Sequence, residues 1–127
     1  MVVLDASAMV DLLLGTALGA AVAARLRGQQ LHAPAHFDAE VLSALGRLHR
    51  AGSLSAGQVR TRLTRLESAP VERHSIVELG RGAWRRRSNL RLVDALYVEL
   101  AERLAAPVLT TDAALAAADR RAELIGA

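Results

Sequence analysis

A chain of 127 residues in which 52% of side chains are hydrophobic has material for one compact domain, expected to span 1–127, and little for a second. It has no cysteine and no lysine, all sixteen basic residues being Arg, which excludes disulfides, thiolate metal sites, thiol nucleophiles and any chemistry that needs a lysine amine. The net charge of +3 is uneven: residues 45–91 hold eleven Arg against three acids, whereas residues 1–44 hold four acids against two Arg and residues 92–127 six against three.

A basic middle between acidic ends suits an anionic polymer held beside a metal site, or simply a set of solvated helix faces. Only Phe37, Trp84 and Tyr97 are aromatic, so Ala, Leu and Val must supply the packing and an extended base-stacking platform is not expected. Met1-Val2-Val3-Leu4-Asp5 has no basic region ahead of an apolar run. No stretch approaches the roughly 18 to 20 uncharged residues of a membrane span, so a cytoplasmic protein without membrane contact is expected.

In chain order, Val2-Val3-Leu4 reads as a short buried strand and Asp5-Ala6-Ser7 as the turn into a helix reaching Leu14. Thr16 can cap a second helix, Ala17 to Leu26, which Gly28 can end, and Leu31 to Pro34 reads as another strand. Phe37, Val41, Ala44, Leu45 and Leu48 recur at helical spacing between Ala35 and Ala51. Ser55 caps a further helix with Val59, Leu63 and Leu66 as its apolar stripe. Val71 to His74 is a strand and Ser75 a cap for Ile76 to Arg87, a helix that Gly80 and Gly82 weaken by roughly 1 kcal/mol each. Leu92 to Leu104 reads as an amphipathic helix, Val108 to Thr110 as a strand, Asp112 to Ala118 as a short helix and Glu123 to Ile125 as a last strand. This alternation predicts an α/β fold: a short, mainly parallel sheet flanked by helices on both faces, an α/β/α sandwich.

Ligands of such folds gather beyond the carboxyl ends of the strands, where Asp5 and Asp112 would lie. Each is also suited to capping the helix that follows it. Asp94 falls in the first turn of its helix, where the macrodipole alone would favour an acid. Glu40 lies at the edge of an apolar stripe beside Arg47, where a surface salt bridge would account for it, and the helical wheel does not choose between Glu40 and Asp38. Asp11 reads as an ordinary exposed helix residue, and Glu99 with Arg103 as a four-residue pair on a solvated face, so Glu99 and Glu102 are set aside. The four His residues lack the short spacings of a zinc site and read as structural or surface residues, with His36 alone expected near Glu40.

Together, Val3-Leu4-Asp5-Ala6-Ser7-Ala8, Ala39-Glu40-Val41-Leu42, Val93-Asp94-Ala95-Leu96-Tyr97 and Leu109-Thr110-Thr111-Asp112 resemble, in order and spacing, the PIN-domain nucleases, specifically the VapC toxins of bacterial toxin-antitoxin pairs. Ala83-Trp84 followed by Arg87, Asn89 and Asp94-Ala95 resembles a subgroup of these toxins. One departure is Ser43, where many relatives carry Asn.

The resemblance implies a PIN-like fold and an acidic quartet, Asp5, Glu40, Asp94 and Asp112, that holds Mg²⁺ or Mn²⁺ and hydrolyses phosphodiester bonds with metal-activated water. It implies that Ser7 and Thr110 orient carboxylates or waters. It further implies a homodimer, a VapB-type antitoxin that blocks the site, and a structured RNA substrate such as transfer or ribosomal RNA. Arg85, Arg86, Arg87 and Arg91 are candidate RNA contacts or, equally, a solvated face. The alternative within this chemistry is a PIN-fold RNA-processing nuclease outside any toxin pair. A phosphoacceptor or phosphatase domain also places Asp after the first strand, but it would require a lysine this chain lacks.

Overall fold

A computed structural model describes residues 1–126; Ala127, the last residue of the expected domain, lies outside the described residues. The elements run β1 (Val2–Leu4), α1 (Ala6–Leu14), α2 (Ala17–Leu26), β2 (Leu31–Pro34), α3 (Phe37–Arg50), α4 (Ala56–Ser68), β3 (Val71–His74), α5 (Ile76–Arg85), α6 (Leu92–Leu104), β4 (Val108–Thr110), α7 (Ala113–Ala118) and β5 (Ala122–Leu124).

Local chemistry accounts for most of the boundaries. Asp5 caps α1, accepting from the Ala8 amide, and Gly15 at φ 68° closes that helix in the left-handed conformation that glycine adopts without steric cost. Thr16 accepts from Gly19 N to start α2, and Ser55 and Gln58 form a reciprocal capping box on α4. Ser75 corrects one expectation: it precedes α5 but makes no side-chain capping bond. That helix also stops at Arg85 rather than Arg87, and β5 starts one residue earlier than expected.

All the strand pairings are parallel, in the order β3-β2-β1-β4-β5. β1 is central, with Val2 opposite Leu31 of β2 and Val3 opposite Val108 of β4, and every β1 residue is buried. Burial on both faces explains why Val2-Val3-Leu4 shows no polar alternation. The chain steps outward from β1 to β3 through α1–α4, then returns across the sheet to β4 through α5 and α6. Right-handed connections set these two groups on opposite faces. Accordingly α1 packs on α2, α3 and α4, whereas α5 packs on α6, which lies against β1, β2 and β4.

Sandwiched this way, α6 is less amphipathic than its sequence suggests. Ala95 and the run from Tyr97 to Ala101 are buried. Leu and Val dominate the core, with Phe37 and Tyr97 as its largest side chains, while Trp84 is half exposed. No single described helix is long and apolar enough to cross a membrane. The strand order reverses between β1 and β4, and in open parallel sheets such a reversal opens a crevice at the carboxyl edge.

Candidate active site

Asp5 leaves the carboxyl end of β1 at this reversal, with only 5% of its surface exposed. Its Oδ1 accepts from the Ser7 hydroxyl at 2.8 Å and the Ala8 amide at 3.0 Å, and its Oδ2 accepts from the Thr110 hydroxyl at 2.5 Å. Those hydroxyls are themselves oriented: Thr110 Oγ1 accepts from Asp112 N and Ser7 Oγ from Thr111 N. A carboxylate offers about four lone-pair directions, so three bonds fix the group and leave one, on Oδ2, for a further partner.

Around Asp5 lies a cavity of about 350 Å³ whose wall includes Glu40 from α3, Asp94 from α6 and Asp112 at the start of α7. The structure therefore brings together the four acids singled out from sequence. Asp112 uses Oδ1 to accept from Ala114 N and Leu115 N, so it caps α7 and faces the cavity at once. Capping and siting, alternatives on sequence grounds, coincide for both Asp5 and Asp112.

Glu40 does not pair with Arg47. Its Oε1 accepts from the Tyr97 hydroxyl at 2.6 Å and lies 3.4 Å from His36 Nε2, which donates to the Val93 carbonyl. Arg47 instead donates to Ser43 and, with Ala44, lines the same cavity one and two turns beyond Glu40. Arg91, one of the candidate RNA contacts, forks over Asp94 with Nε at 3.0 Å from Oδ2. With 74% of the Arg91 side chain exposed, this pair is a weak one that a stronger cation can displace.

Five carboxylates, counting Asp11, share this cavity with two guanidiniums, Arg47 and Arg91. Burial drives the Asp5 carboxyl up from 3.8 to about 6, against the bonds from Thr110, Ala8 and Ser7 that favour its charge, and Asp112 adds repulsion. Burial and the bond to Glu40 both raise the Tyr97 hydroxyl, so it stays protonated and donates. A cluster of hard oxygen donors with excess negative charge, one of them pushed by burial towards protonation, fits a hard divalent cation.

Three sequence expectations need correction. Asp11 is not an ordinary surface acid: it lines the cavity and accepts from Thr111 Oγ1 at 2.7 Å. Glu99 is not on a solvated face but only 4% exposed, bonded by Arg86 and Arg103. Burial would raise its carboxyl, but the bonds from the two guanidiniums outweigh this and hold it lowered. Arg86, a candidate RNA contact, is consequently committed to Glu99 and Glu102, whereas Arg85 and Arg87 remain exposed. A Cβ at Gly82 would overlap the Glu99 carboxylate, so this glycine permits the close approach of α5 and α6.

Tyr97 is a further contributor to the site that sequence reasoning missed. Its only signal was its position three residues beyond Asp94, on the same face of the helix.

The PIN domain family model matches residues 2–121. The chain is 57% identical to Ribonuclease VapC3 of Mycobacterium tuberculosis over 126 residues, covering 98% of this chain and 92% of that protein. It is 43% identical to Ribonuclease VapC12 of the same organism over 116 residues, covering 91% and 90%. Among solved structures, it resembles the sarcin-ricin-loop-cleaving toxin VapC20 of M. tuberculosis at TM-score 0.69 and 16% identity, covering 93% of this chain and 95% of that one. A toxin-antitoxin complex from Klebsiella pneumoniae matches at TM-score 0.70 and 16% identity, covering 97% and 96%. These likenesses to solved structures speak for the fold. With an all-parallel sheet, an acid-lined cavity at its switch point and a family match along nearly its whole length, the chain belongs to the PIN-domain VapC toxins, which are metal-dependent ribonucleases.

Proposed function

We propose that this protein is the toxin of a toxin-antitoxin pair, a Mg²⁺- or Mn²⁺-dependent endoribonuclease that cleaves structured RNA such as transfer or ribosomal RNA in the cytoplasm and so inhibits translation. The observation that carries this reading is the convergence of Asp5, Glu40, Asp94 and Asp112, from four separate elements, on one cavity. When bound there, a divalent ion lowers the pKa of water and neutralises charge building on the phosphate oxygens.

Asp5 and Asp94 are the leading ligands, with Glu40 and Asp112 completing the oxygen set. Ser7 and Thr110 hold the Asp5 carboxylate in one orientation, and Tyr97 does the same for Glu40. Arg91 pairs with Asp94, and its exposed guanidinium would be available to a substrate phosphate if Asp94 held a metal instead. Arg85 and Arg87 extend the basic surface, the latter stacked over the Trp84 ring at 4.8 Å.

A cognate VapB-type antitoxin would suit the cavity by offering an Arg to the carboxylates in place of the metal's charge. The homodimer is supported by exposed apolar side chains on α5 and α6, Ile76, Val77, Trp84, Leu92 and Val93, which a second copy would cover.

The test is cleavage of total cellular RNA by purified wild type and Asp94→Asn with Mg²⁺ and with chelator. Wild type cleaves only with metal, and the folded variant is at least about 100-fold slower, the order expected when a group acting on the reacting centre is lost. Equal activity in the folded variant overturns the assignment.

A further inference from the structure

The sheet's β3 edge carries a second constellation, none of whose residues lines the acid-lined cavity, on strands that the nuclease reading leaves unused. In the parallel pairing of β2 with β3, His32 lies directly opposite Glu72, and His74 follows Glu72 by two residues on the same strand. Side chains two apart on a strand share a face, so the register alone sets all three on one surface. His32 Nδ1 lies 2.9 Å from His74 Nε2 and 3.3 Å from Glu72 Oε2, and one ligand atom from each residue falls within 4.8 Å of the other two.

We propose that His32, Glu72 and His74 form a site for a transition-metal ion of the zinc class, distinct from the Mg²⁺ site of the nuclease. Zinc binds imidazole nitrogen and carboxylate oxygen at about 2.0 to 2.2 Å, which in a tetrahedron separates the ligands by about 3.3 Å. The His32–Glu72 separation already has that value, and the His32–His74 pair needs to open by a few tenths of an ångström.

Two imidazoles and one carboxylate select zinc, cobalt or nickel over magnesium, whose preferred ligands are carboxylate and water. In the metal-free protein one ring donates a proton to the other; a cation replaces that proton in the gap, and the donor ring takes its other tautomer. The Glu72 side chain is 66% exposed, which leaves the fourth position on the solvent side. Such an ion would clamp the edge strand β3 onto β2, next to the Ala35 N to His74 O bond at 2.8 Å that leads into α3.

The experiment is titration of the full chain with Co²⁺ in excess Mg²⁺, read by visible d–d absorption and by thermal melting. One equivalent should develop the band of four- or five-coordinate cobalt and raise Tm, and Zn²⁺ should bleach the band. Glu72→Ala, an exposed position that folding tolerates, and His74→Ala should each weaken cobalt binding by at least about 100-fold. The double variant Asp5→Asn/Asp94→Asn should keep both signals, which locates the ion away from the nuclease site. No band with wild type, a band that survives Glu72→Ala and His74→Ala, or one lost in the Asp5→Asn/Asp94→Asn protein overturns the proposal.

Discussion

Asp5→Asn tests the electrostatic account of the site independently of catalysis. The wild-type carboxyl sits at about 6 in the folded protein against 3.8 as its ordinary value, a difference that corresponds to about 3 kcal/mol. A raised carboxyl stabilises the folded state fully below about pH 3.8, and this contribution disappears as pH rises through about 6, because only the protonated form is at ease in the buried position. Asn does not titrate, so between about pH 4.5 and 7.5 the stability of the variant relative to wild type should change in the variant's favour by about 2 kcal/mol.

A constant offset opposes this gain. Thr110 Oγ1 accepts from Asp112 N and points its proton at Asp5 Oδ2, so an amide NH₂ there meets a second donor at a cost of about 1 to 2 kcal/mol. Subtracting the variant from wild type at each pH removes the titrations the two proteins share, and the offset drops out of the change in that difference with pH. The assay is urea unfolding in chelator across that range, with m unchanged as the sign that both proteins unfold alike. A difference that stays flat with pH refutes burial of Asp5 as the dominant influence on the site, while Mg²⁺ should stabilise wild type but not the variant.

Gly82→Ala should destabilise by about 2 to 3 kcal/mol, because the added methyl displaces the Glu99 carboxylate from between Arg86 and Arg103; chemical denaturation measures it. Glu99→Gln should cost about 2 kcal/mol at neutral pH, and the cost should shrink in acid, since a lowered carboxyl contributes stability above its ordinary value of 4.5 and loses it as pH falls. Tyr97→Phe, which keeps the ring and removes the donor to Glu40, should reduce metal-dependent cleavage about 10-fold with little loss of Tm, and unchanged cleavage would remove Tyr97 from the site. Arg85→Ala and Arg87→Ala should weaken RNA binding and flatten its salt dependence without affecting stability. Arg86→Ala should instead lower Tm, which thermal melting separates from a binding defect.

The architecture and the strand-end positions of Asp5 and Asp112 were legible because they depend on local signals. An apolar run ending in Asp marks a strand's carboxyl edge, and Ser55 marks a helix start, whatever the rest of the chain does. What stayed hidden depends on contacts between distant segments. Glu99 and Arg103 have the spacing of a solvated pair, and only the arrival of Gly82 on α5 and Arg86 just beyond it turns that face inward. Local physics alone left Glu40 and Asp94 undecided; the recurring family pattern singled them out, and the tie of Tyr97 to Glu40 runs across 57 residues. The His32–Glu72–His74 cluster was invisible for a similar reason. Its members are 42 residues apart at the extremes and meet only through the register of β2 with β3.

The position of β1 has a temporal consequence. β1 forms the middle of the sheet, and its two neighbours lie far apart in the chain, Leu31 opposite Val2 and Val108 opposite Val3. A growing or prematurely ended chain that stops before β4 carries Asp5, Glu40 and Asp94, yet lacks both Asp112 and the Thr110 hydroxyl that holds Asp5 in place. It also leaves one side of β1 unpaired. Because contacts this distant in sequence form late, the acid-lined cavity is complete only after β4 and the start of α7 have docked, and a chain cut between α6 and β4 should cleave no RNA.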